Sequence, residues 1–128
     1  MTKLKVLLVD DEIEFVKTLA ERLQLRGFEV LVAVDGEGAI NQMEADLPDL
    51  VVLDVMMPGL GGLEVLKQIK QQHQRIPIIL LTGHSSTSDG IKGMRLGAFD
   101  YLMKPIDIDE LIKKMQEAVA SGRNHAET

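Results

Sequence analysis

The sequence predicts one α/β domain: a doubly wound, five-stranded parallel sheet in the order 2-1-3-4-5, with helices on both faces. A chain of 128 residues fits a single domain. Short, nearly continuous apolar runs are typical of strands that are buried on both faces, and they occur at residues 4–9, 28–34, 50–53, 77–81 and 99–103. Segments with helical spacing separate these runs. This alternation favours a parallel sheet, whose right-handed crossovers leave few topologies.

The first three helices follow the first three strands. An apolar stripe over residues 13–23 predicts the first helix. Gly27 then ends it, because glycine readily adopts the left-handed conformation found at helix C-termini. A weaker pattern predicts a second helix over residues 37–45, and a clear stripe over residues 63–69 predicts the third.

The last two helices differ in expected stability. The fourth, over residues 89–96, contains Gly90 and Gly93. Each interior glycine costs about 1 kcal/mol relative to alanine, so we expect this helix to be the least stable in the domain. The fifth opens with the pattern Asp107-x-x-Glu110, which resembles a capping box.

Composition excludes several classes of protein. We assign the domain to residues 1–120 and interpret residues 121–128 as a polar, frayed tail or the start of a linker. With 14 Lys and Arg against 20 Asp and Glu, the net charge of −6 would repel nucleic-acid phosphates. The absence of cysteine excludes thiolate sites and fits a reducing compartment. No apolar run approaches the roughly 18 residues of a spanning helix. We therefore expect a cytoplasmic domain that binds neither nucleic acid nor membrane.

Polar side chains follow the carboxyl ends of the predicted strands, where open α/β sheets bind ligands. They are Asp10 and Asp11 after strand one, Asp54 at the end of strand three, Thr82 at the end of strand four and Lys104 after strand five. Each alone has a structural explanation: the aspartates could cap a helix or form a turn, the hydroxyl could satisfy its own loop, and the lysine could be solvated. In the expected strand order all five converge, which capping alone does not explain.

Carboxylates in such a cluster repel one another, so at least one pKa would rise unless a cation lay between them. Mg²⁺ suits the cluster, because it binds carboxylate oxygens, keeps several waters and bridges to a phosphoryl oxygen. Lys104 would add a second positive charge and Thr82 a hydroxyl donor. Together they would stabilise charge on a transferring phosphoryl group, and one carboxylate could act as the nucleophile to give an acyl phosphate.

Several spaced motifs resemble the receiver domain of two-component response regulators, over residues 4 to about 120. The motifs are Val9-Asp10-Asp11, Asp54 followed by Met57-Pro58-Gly59, Leu81-Thr82-Gly83, and Gly97-Ala98-Phe99-Asp100-Tyr101-Leu102-Met103-Lys104-Pro105. They occur in the order that the family has. The resemblance implies the flavodoxin-like sheet that the strand pattern predicts.

The resemblance also implies a chemistry for the acidic residues. Asp54 would accept a phosphoryl group from a phosphohistidine on a partner. Mg²⁺ would be held by Asp11, Asp54 and the backbone carbonyl of Met56, with Asp10 acting partly through water. The domain would then be a phosphoacceptor that assists its own phosphorylation and dephosphorylation, rather than an enzyme.

A second group of residues is implied to read out the phosphorylated state. Thr82 and Lys104 would contact the phosphate, and Tyr101 would swing inward when Thr82 moves. Tyr101 also has a structural interpretation as a half-buried strand aromatic. The Lys104–Pro105 bond is typically cis in such domains. Met56 and His84 occupy the two variable positions that flank the phosphoryl pocket in such domains.

The implied partners are a sensor histidine kinase or a histidine phosphotransfer protein of a phosphorelay. Phosphorylation would shift the loop after strand four and the fourth helix. This would change a surface formed by the fourth helix, the fifth strand and the fifth helix. An output domain or a second copy of the chain could bind there.

Three other functions are compatible with this architecture. A haloacid-dehalogenase-type phosphatase usually carries a second acid two residues after the nucleophile, where this chain has Met56. A flavin or dinucleotide binder would need a phosphate loop, and residues 59–62 lack its third glycine because Glu64 stands there. A receiver-like interaction module without phosphorylation is not favoured, since every position that the chemistry needs is filled.

Overall fold

The computed structural model describes residues 3–83 and 87–127. Five strands alternate with five helices. The strands are β1 (Lys5–Val9), β2 (Glu29–Ala33), β3 (Leu50–Asp54), β4 (Ile78–Thr82) and β5 (Asp100–Met103). The helices are α1 (Ile13–Leu25), α2 (Gly36–Ala45), α3 (Gly62–Gln72), α4 (Thr87–Arg95) and α5 (Ile108–Glu127).

The sheet has the predicted topology. The order is β2-β1-β3-β4-β5, and all neighbouring strands are parallel. In the register, Val9 is paired with Leu53, Asp54 with Leu81, and Thr82 with Met103. The carboxyl ends of β1, β3, β4 and β5 therefore lie together at one edge of the sheet.

Two hydrophobic cores lie on opposite faces of the sheet. One packs α1 and α5 against residues such as Leu8, Val52 and Ile79, and the other packs α2 and α3 against the alternate residues of the same strands. All five residues of β3 and of β4 are buried, as the continuous apolar runs predict. β2 and β5 are partly exposed because they are the edge strands, so the prediction of burial on both faces is wrong for these two.

The ends of the helices follow the sequence signals closely. Gly27 adopts a φ of 94° just after α1, as predicted for a helix stop. At the start of α5, the Asp107 carboxylate accepts hydrogen bonds from the backbone N–H groups of Asp109 and Glu110, at 2.9 and 3.2 Å. The Lys104–Pro105 peptide bond is cis, as expected.

The last helix extends beyond the predicted domain boundary. Helix α5 continues through Glu127, so most of residues 121–128 is helical. Nothing in this segment forces an end, because it contains no proline and only one glycine. The boundary of the domain at residue 120 stays a prediction. Among the helices of residues 3–83 and 87–127, none has the length and apolar character needed to cross a bilayer.

Candidate functional site

Three of the predicted site residues lie in direct proximity at the carboxyl edge of the sheet. The Lys104 Nζ atom lies 2.8 Å from Asp10 Oδ2 and 3.8 Å from Asp54 Oδ2. Asp10 and Asp54 are only 2% and 4% exposed. Since buried charges need partners, this lysine is the counter-ion of both carboxylates in this arrangement.

Local hydrogen bonds orient both aspartates. Asp10 Oδ1 accepts from the backbone N–H of Glu12 at 2.9 Å, and Asp54 Oδ1 accepts from that of Met56 at 3.3 Å. Both are turn-type contacts, which is the structural alternative that the sequence offers for Asp54. The alternative for Asp10, a cap of the first helix, is wrong, because the N-cap residue of α1 is Glu12, which makes no side-chain capping bond. The second carboxylate oxygen of each aspartate faces Lys104.

The cluster contains a third carboxylate, that of Glu12, which the sequence analysis does not predict. Its Oε1 atom lies 2.7 Å from Lys104 Nζ. Oxygen atoms of Asp10, Glu12 and Asp54 all lie within 4.8 Å of one another. The only signal was that Glu12 follows the aspartate pair directly. That signal is weak, because acids are ordinary at the start of a helix.

The carboxylate group differs from the predicted metal ligands in one member. Among the described residues, the clustered set contains Glu12 where the prediction has Asp11. Asp11 is partly exposed, yet its charge still contributes to the raised pKa of Asp54. Oxygen-only donors of this kind fit a hard cation such as Mg²⁺. The backbone carbonyl of Met56 as a ligand stays a prediction.

Burial and charge shift the protonation of the central groups. Burial is the main cause that raises the pKa of Asp54 from 3.8 to about 6; the Asp10 carboxylate adds to the rise and Lys104 opposes it. For Lys104, burial lowers the pKa, but hydrogen bonds to Asp10 and Glu12 outweigh this and the net shift is upward. The lysine therefore stays charged, and Asp54 is mostly ionised at neutral pH.

Thr82 supplies a hydroxyl with spare hydrogen-bonding capacity. The residue is fully buried at the end of β4, and its carbonyl accepts from the Lys104 N–H at 2.7 Å. Within the described ranges, its Oγ1 atom has no hydrogen-bond partner. Buried polar atoms are rarely unsatisfied, so this hydroxyl fits a site that receives an acceptor. The alternative of a hydroxyl that satisfies its own loop stays a prediction, because residues 84–86 of that loop lie outside the described residues.

Tyr101 lies on β5, next to the backbone of α4. It is half-buried and packs against the core on the α2–α3 face. The backbone of Gly90 sits against its ring, where an added Cβ would lie 3.0 Å from two ring carbons. This position fits both a switch residue and a strand aromatic. His84, the predicted flanking residue, lies outside the described residues.

Comparison with known proteins identifies relatives over nearly all of the chain. A family model described as the response regulator receiver domain matches residues 6–116. The Alkaline phosphatase synthesis transcriptional regulatory protein PhoP of Bacillus subtilis is 45% identical over 107 residues, 84% of this chain and 45% of that protein. The transcriptional regulatory protein CpxR of Escherichia coli K12 is 46% identical over 88% of this chain and 47% of its own length. The chain thus spans less than half the length of both relatives.

Solved structures agree with this assignment. NtrX from Brucella abortus, crystallised with ADP, has a TM-score of 0.93 at 31% identity, covering 98% of this chain and 29% of NtrX. The receiver domain of the same protein has a TM-score of 0.86 at 33% identity, covering 90% of this chain and 98% of that domain. The matched residues include the three strand ends that carry Asp10, Asp54 and Lys104. The chain therefore belongs to the response regulator receiver domain family.

Proposed function

We propose that this domain accepts a phosphoryl group on Asp54 from the phosphohistidine of a histidine kinase or a histidine phosphotransfer protein. Mg²⁺ serves as its cofactor. The observation that carries the proposal is the buried Asp54 carboxylate, which lies 3.8 Å from the ammonium of Lys104 and beside two further carboxylates. A nucleophile, a cation and a group of oxygen donors are what phosphoryl transfer to a carboxylate requires.

The chemical step uses the ionised form of Asp54. A carboxylate oxygen attacks phosphorus and forms an O–P bond, while the P–N bond to the phosphohistidine breaks and its electron pair returns to the imidazole nitrogen. Oδ1 already accepts from Met56 N–H, and Oδ2 faces Lys104. The ammonium of Lys104 can then stabilise the charge on the phosphoryl oxygens. The only rearrangement this needs is that the ammonium exchanges a carboxylate contact for a contact with the phosphoryl group.

The metal-binding role falls to the acidic side chains of the same edge. When bound, Mg²⁺ neutralises charge on the phosphoryl oxygens and on the crowded carboxylates. Asp10, Asp11 and Asp54 would hold it, together with the predicted backbone carbonyl of Met56. The raised pKa of Asp54 supports this role, because it reflects burial of the charge first and repulsion by the Asp10 carboxylate second, and a bound cation would offset both.

The response to phosphorylation involves Thr82, Lys104 and Tyr101. Among the residues that the structure describes, the Thr82 hydroxyl has no hydrogen-bond partner. This hydroxyl and the ammonium of Lys104 turn toward the phosphoryl group, and Tyr101 moves with α4. The surface of α4, β5 and α5 then binds an output domain or a second copy of the chain. The relatives are named transcriptional regulators and are about twice as long as this chain, which supports an output role. A regulator of transcription acts inside the cell, so the cytoplasm is the proposed location.

Intact-mass measurement after incubation with acetyl phosphate and Mg²⁺ tests the proposal. The wild-type chain should gain one phosphoryl group, and Asp54→Asn should gain none. Asp109→Asn, which removes a largely exposed aspartate in α5, is the matched control and should label like wild type.

Three results would contradict this function. Labelling of Asp54→Asn at the wild-type rate would exclude Asp54 as the acceptor. Turnover of p-nitrophenyl phosphate would favour a phosphatase. A wild-type chain that never labels would favour an interaction module without phosphorylation.

A further inference from the structure

We propose that Glu12 is a positioning residue for Lys104: it holds the lysine ammonium on the Asp10 side of the pocket and so limits how readily the ammonium reaches a phosphoryl group on Asp54. This inference rests on the proposed function of Asp54. It concerns a residue that lies outside the predicted site and that the strand-end pattern does not indicate.

The contacts of Lys104 are distributed unevenly. Its Nζ atom lies 2.7 Å from Glu12 Oε1 and 2.8 Å from Asp10 Oδ2, but 3.8 Å from Asp54 Oδ2. The ring of Phe15 approaches from the same side, with its centroid 4.4 Å from Nζ. The short contacts thus come from the end of β1 and the first residues of α1, and the phosphoacceptor is the most distant of the three carboxylates.

Glu12 is the movable partner among these contacts. Asp10 is buried and fixed by the backbone N–H of Glu12, so its carboxylate has little freedom. The side chain of Glu12 is 61% exposed, and the residue stands at the N-cap of α1 in an extended conformation. It can exchange the ammonium for water at a small cost, because exposed ion pairs are weak. Release of Lys104 toward Asp54 therefore begins with loss of the Glu12 contact.

Removing the Glu12 charge should free the ammonium and speed phosphorylation of Asp54. We expect Glu12→Gln to label with acetyl phosphate at saturating Mg²⁺ about two- to fivefold faster than wild type, the range that loss of one partly exposed ion pair permits. Glu14→Gln removes the same charge from the first turn of α1. Within the described part of the chain Glu14 makes no ion pair, so this control should label at the wild-type rate.

Two further variants separate contact from general charge. Glu12→Asp keeps the charge but shortens the reach, so it should resemble Glu12→Gln if contact with Lys104 matters. In a Lys104→Gln background, Glu12→Gln should no longer change the rate. Nuclear magnetic resonance gives a readout that does not depend on labelling: in Mg²⁺-free buffer the Lys104 side-chain resonance should shift in both Glu12 variants and stay in place in Glu14→Gln.

Each contrary result has a definite meaning. Equal rates for wild type and Glu12→Gln, or an acceleration that persists without Lys104, would overturn the inference. Slower labelling with Mg²⁺ affinity reduced by about tenfold or more would make Glu12 a metal ligand instead. If wild type labels normally, these failures leave the function of Asp54 intact. If wild type never labels, both proposals fall together.

Discussion

The carboxylate of Asp54 combines two properties that oppose each other. It is buried next to Asp10, which makes its ionised form unfavourable and raises its pKa to about 6. The same crowding provides the nucleophile and the oxygen donors that the proposed chemistry needs. We expect a site of this kind to lower the free energy of unfolding, because it holds like charges close together in a buried place.

Replacing Asp54 with asparagine should therefore stabilise the protein at neutral pH in Mg²⁺-free buffer. The folded chain binds the Asp54 proton up to pH about 6 and the unfolded chain only to about 3.8, so the free energy of unfolding falls as the pH rises through this window. Asn cannot ionise. Urea denaturation at neutral pH should give a variant more stable than wild type by up to about 3 kcal/mol.

The pH dependence distinguishes this effect from better packing. The advantage of Asp54→Asn should shrink toward pH about 4, where the wild-type carboxyl is protonated in the folded state. The control is Glu21→Gln, which removes one charge from an exposed position in the middle of α1. It should change the free energy of unfolding little at either pH, because it does not alter the buried carboxyl of Asp54. An advantage for Asp54→Asn that is equal at both pH values would argue against burial of the charge as its cause.

Which site residues are predictable from sequence depends on how they are placed. Asp10, Asp54 and Lys104 stand at strand ends, and the backbone of a parallel sheet brings strand ends together whatever the side chains do. Glu12 joins them through the reach and rotamer of a long side chain, which no spacing rule encodes. The same limit applies to Tyr101, whose two interpretations differ only in where its ring lies.

At the scale of elements, the structure explains why α4 contains two glycines that lower its helix propensity. Gly90 and Gly93 weaken this helix by propensity, as the sequence indicates. Both are buried: Gly90 covers the ring of Tyr101, and an added Cβ on Gly93 would collide with Cδ1 of Leu80. The glycines let the helix approach β4 and β5 closely. A strong helix former at either position would push α4 away from the sheet.

Alanine at Gly93 should consequently destabilise the protein although it favours the helix. Leu80 is fully buried, so it cannot yield to a new methyl group without strain. Overpacking typically costs 1–3 kcal/mol, against about 1 kcal/mol gained in propensity. We expect a net loss of about 1 kcal/mol in urea denaturation.

Ser88→Ala is the matched control for this substitution. It lies in the first turn of the same helix at an exposed position, so a change within about 0.5 kcal/mol is expected. If Gly93→Ala were as stable as Ser88→Ala or more stable, the close approach of α4 to Leu80 would be wrong.

For the whole molecule, the fold was predictable because every level of the sequence agrees. Continuous apolar runs, helical stripes and a glycine stop at Gly27 all indicate the same α/β topology, and the structure has it. The departures lie at the periphery. β2 and β5 are partly exposed because they are the edges of the sheet, and α5 continues beyond the predicted boundary at residue 120, through Glu127. In these elements the polarity of the residues indicates exposure to water better than it indicates secondary structure.

The carboxyl edge exists only in the folded chain, so Mg²⁺ should stabilise the whole domain. Strand pairing holds Asp10 and Asp54 together, whereas in the unfolded chain more than 40 residues separate them. Binding to the folded state alone adds RT ln(1 + [Mg²⁺]/Kd), about 2.7 kcal/mol at a concentration of 100 Kd. Thermal unfolding should show a higher Tm with MgCl₂ than with NaCl of equal ionic strength.

The variants should separate ion binding from general screening of charge. Asp10→Asn and Asp54→Asn should each lose most of the gain in Tm with Mg²⁺, since each removes a ligand and a negative charge. Asp54→Asn should then be more stable than wild type without Mg²⁺ but gain less stability when the ion is added. Loss of carboxylate repulsion alone would not reduce the gain from Mg²⁺. Asp109→Asn should keep the full Mg²⁺ response, because Asp109 pairs with Arg26 and lies outside the carboxylate cluster. Equal Mg²⁺ gains in Asp10→Asn and wild type would place the ion somewhere other than this edge.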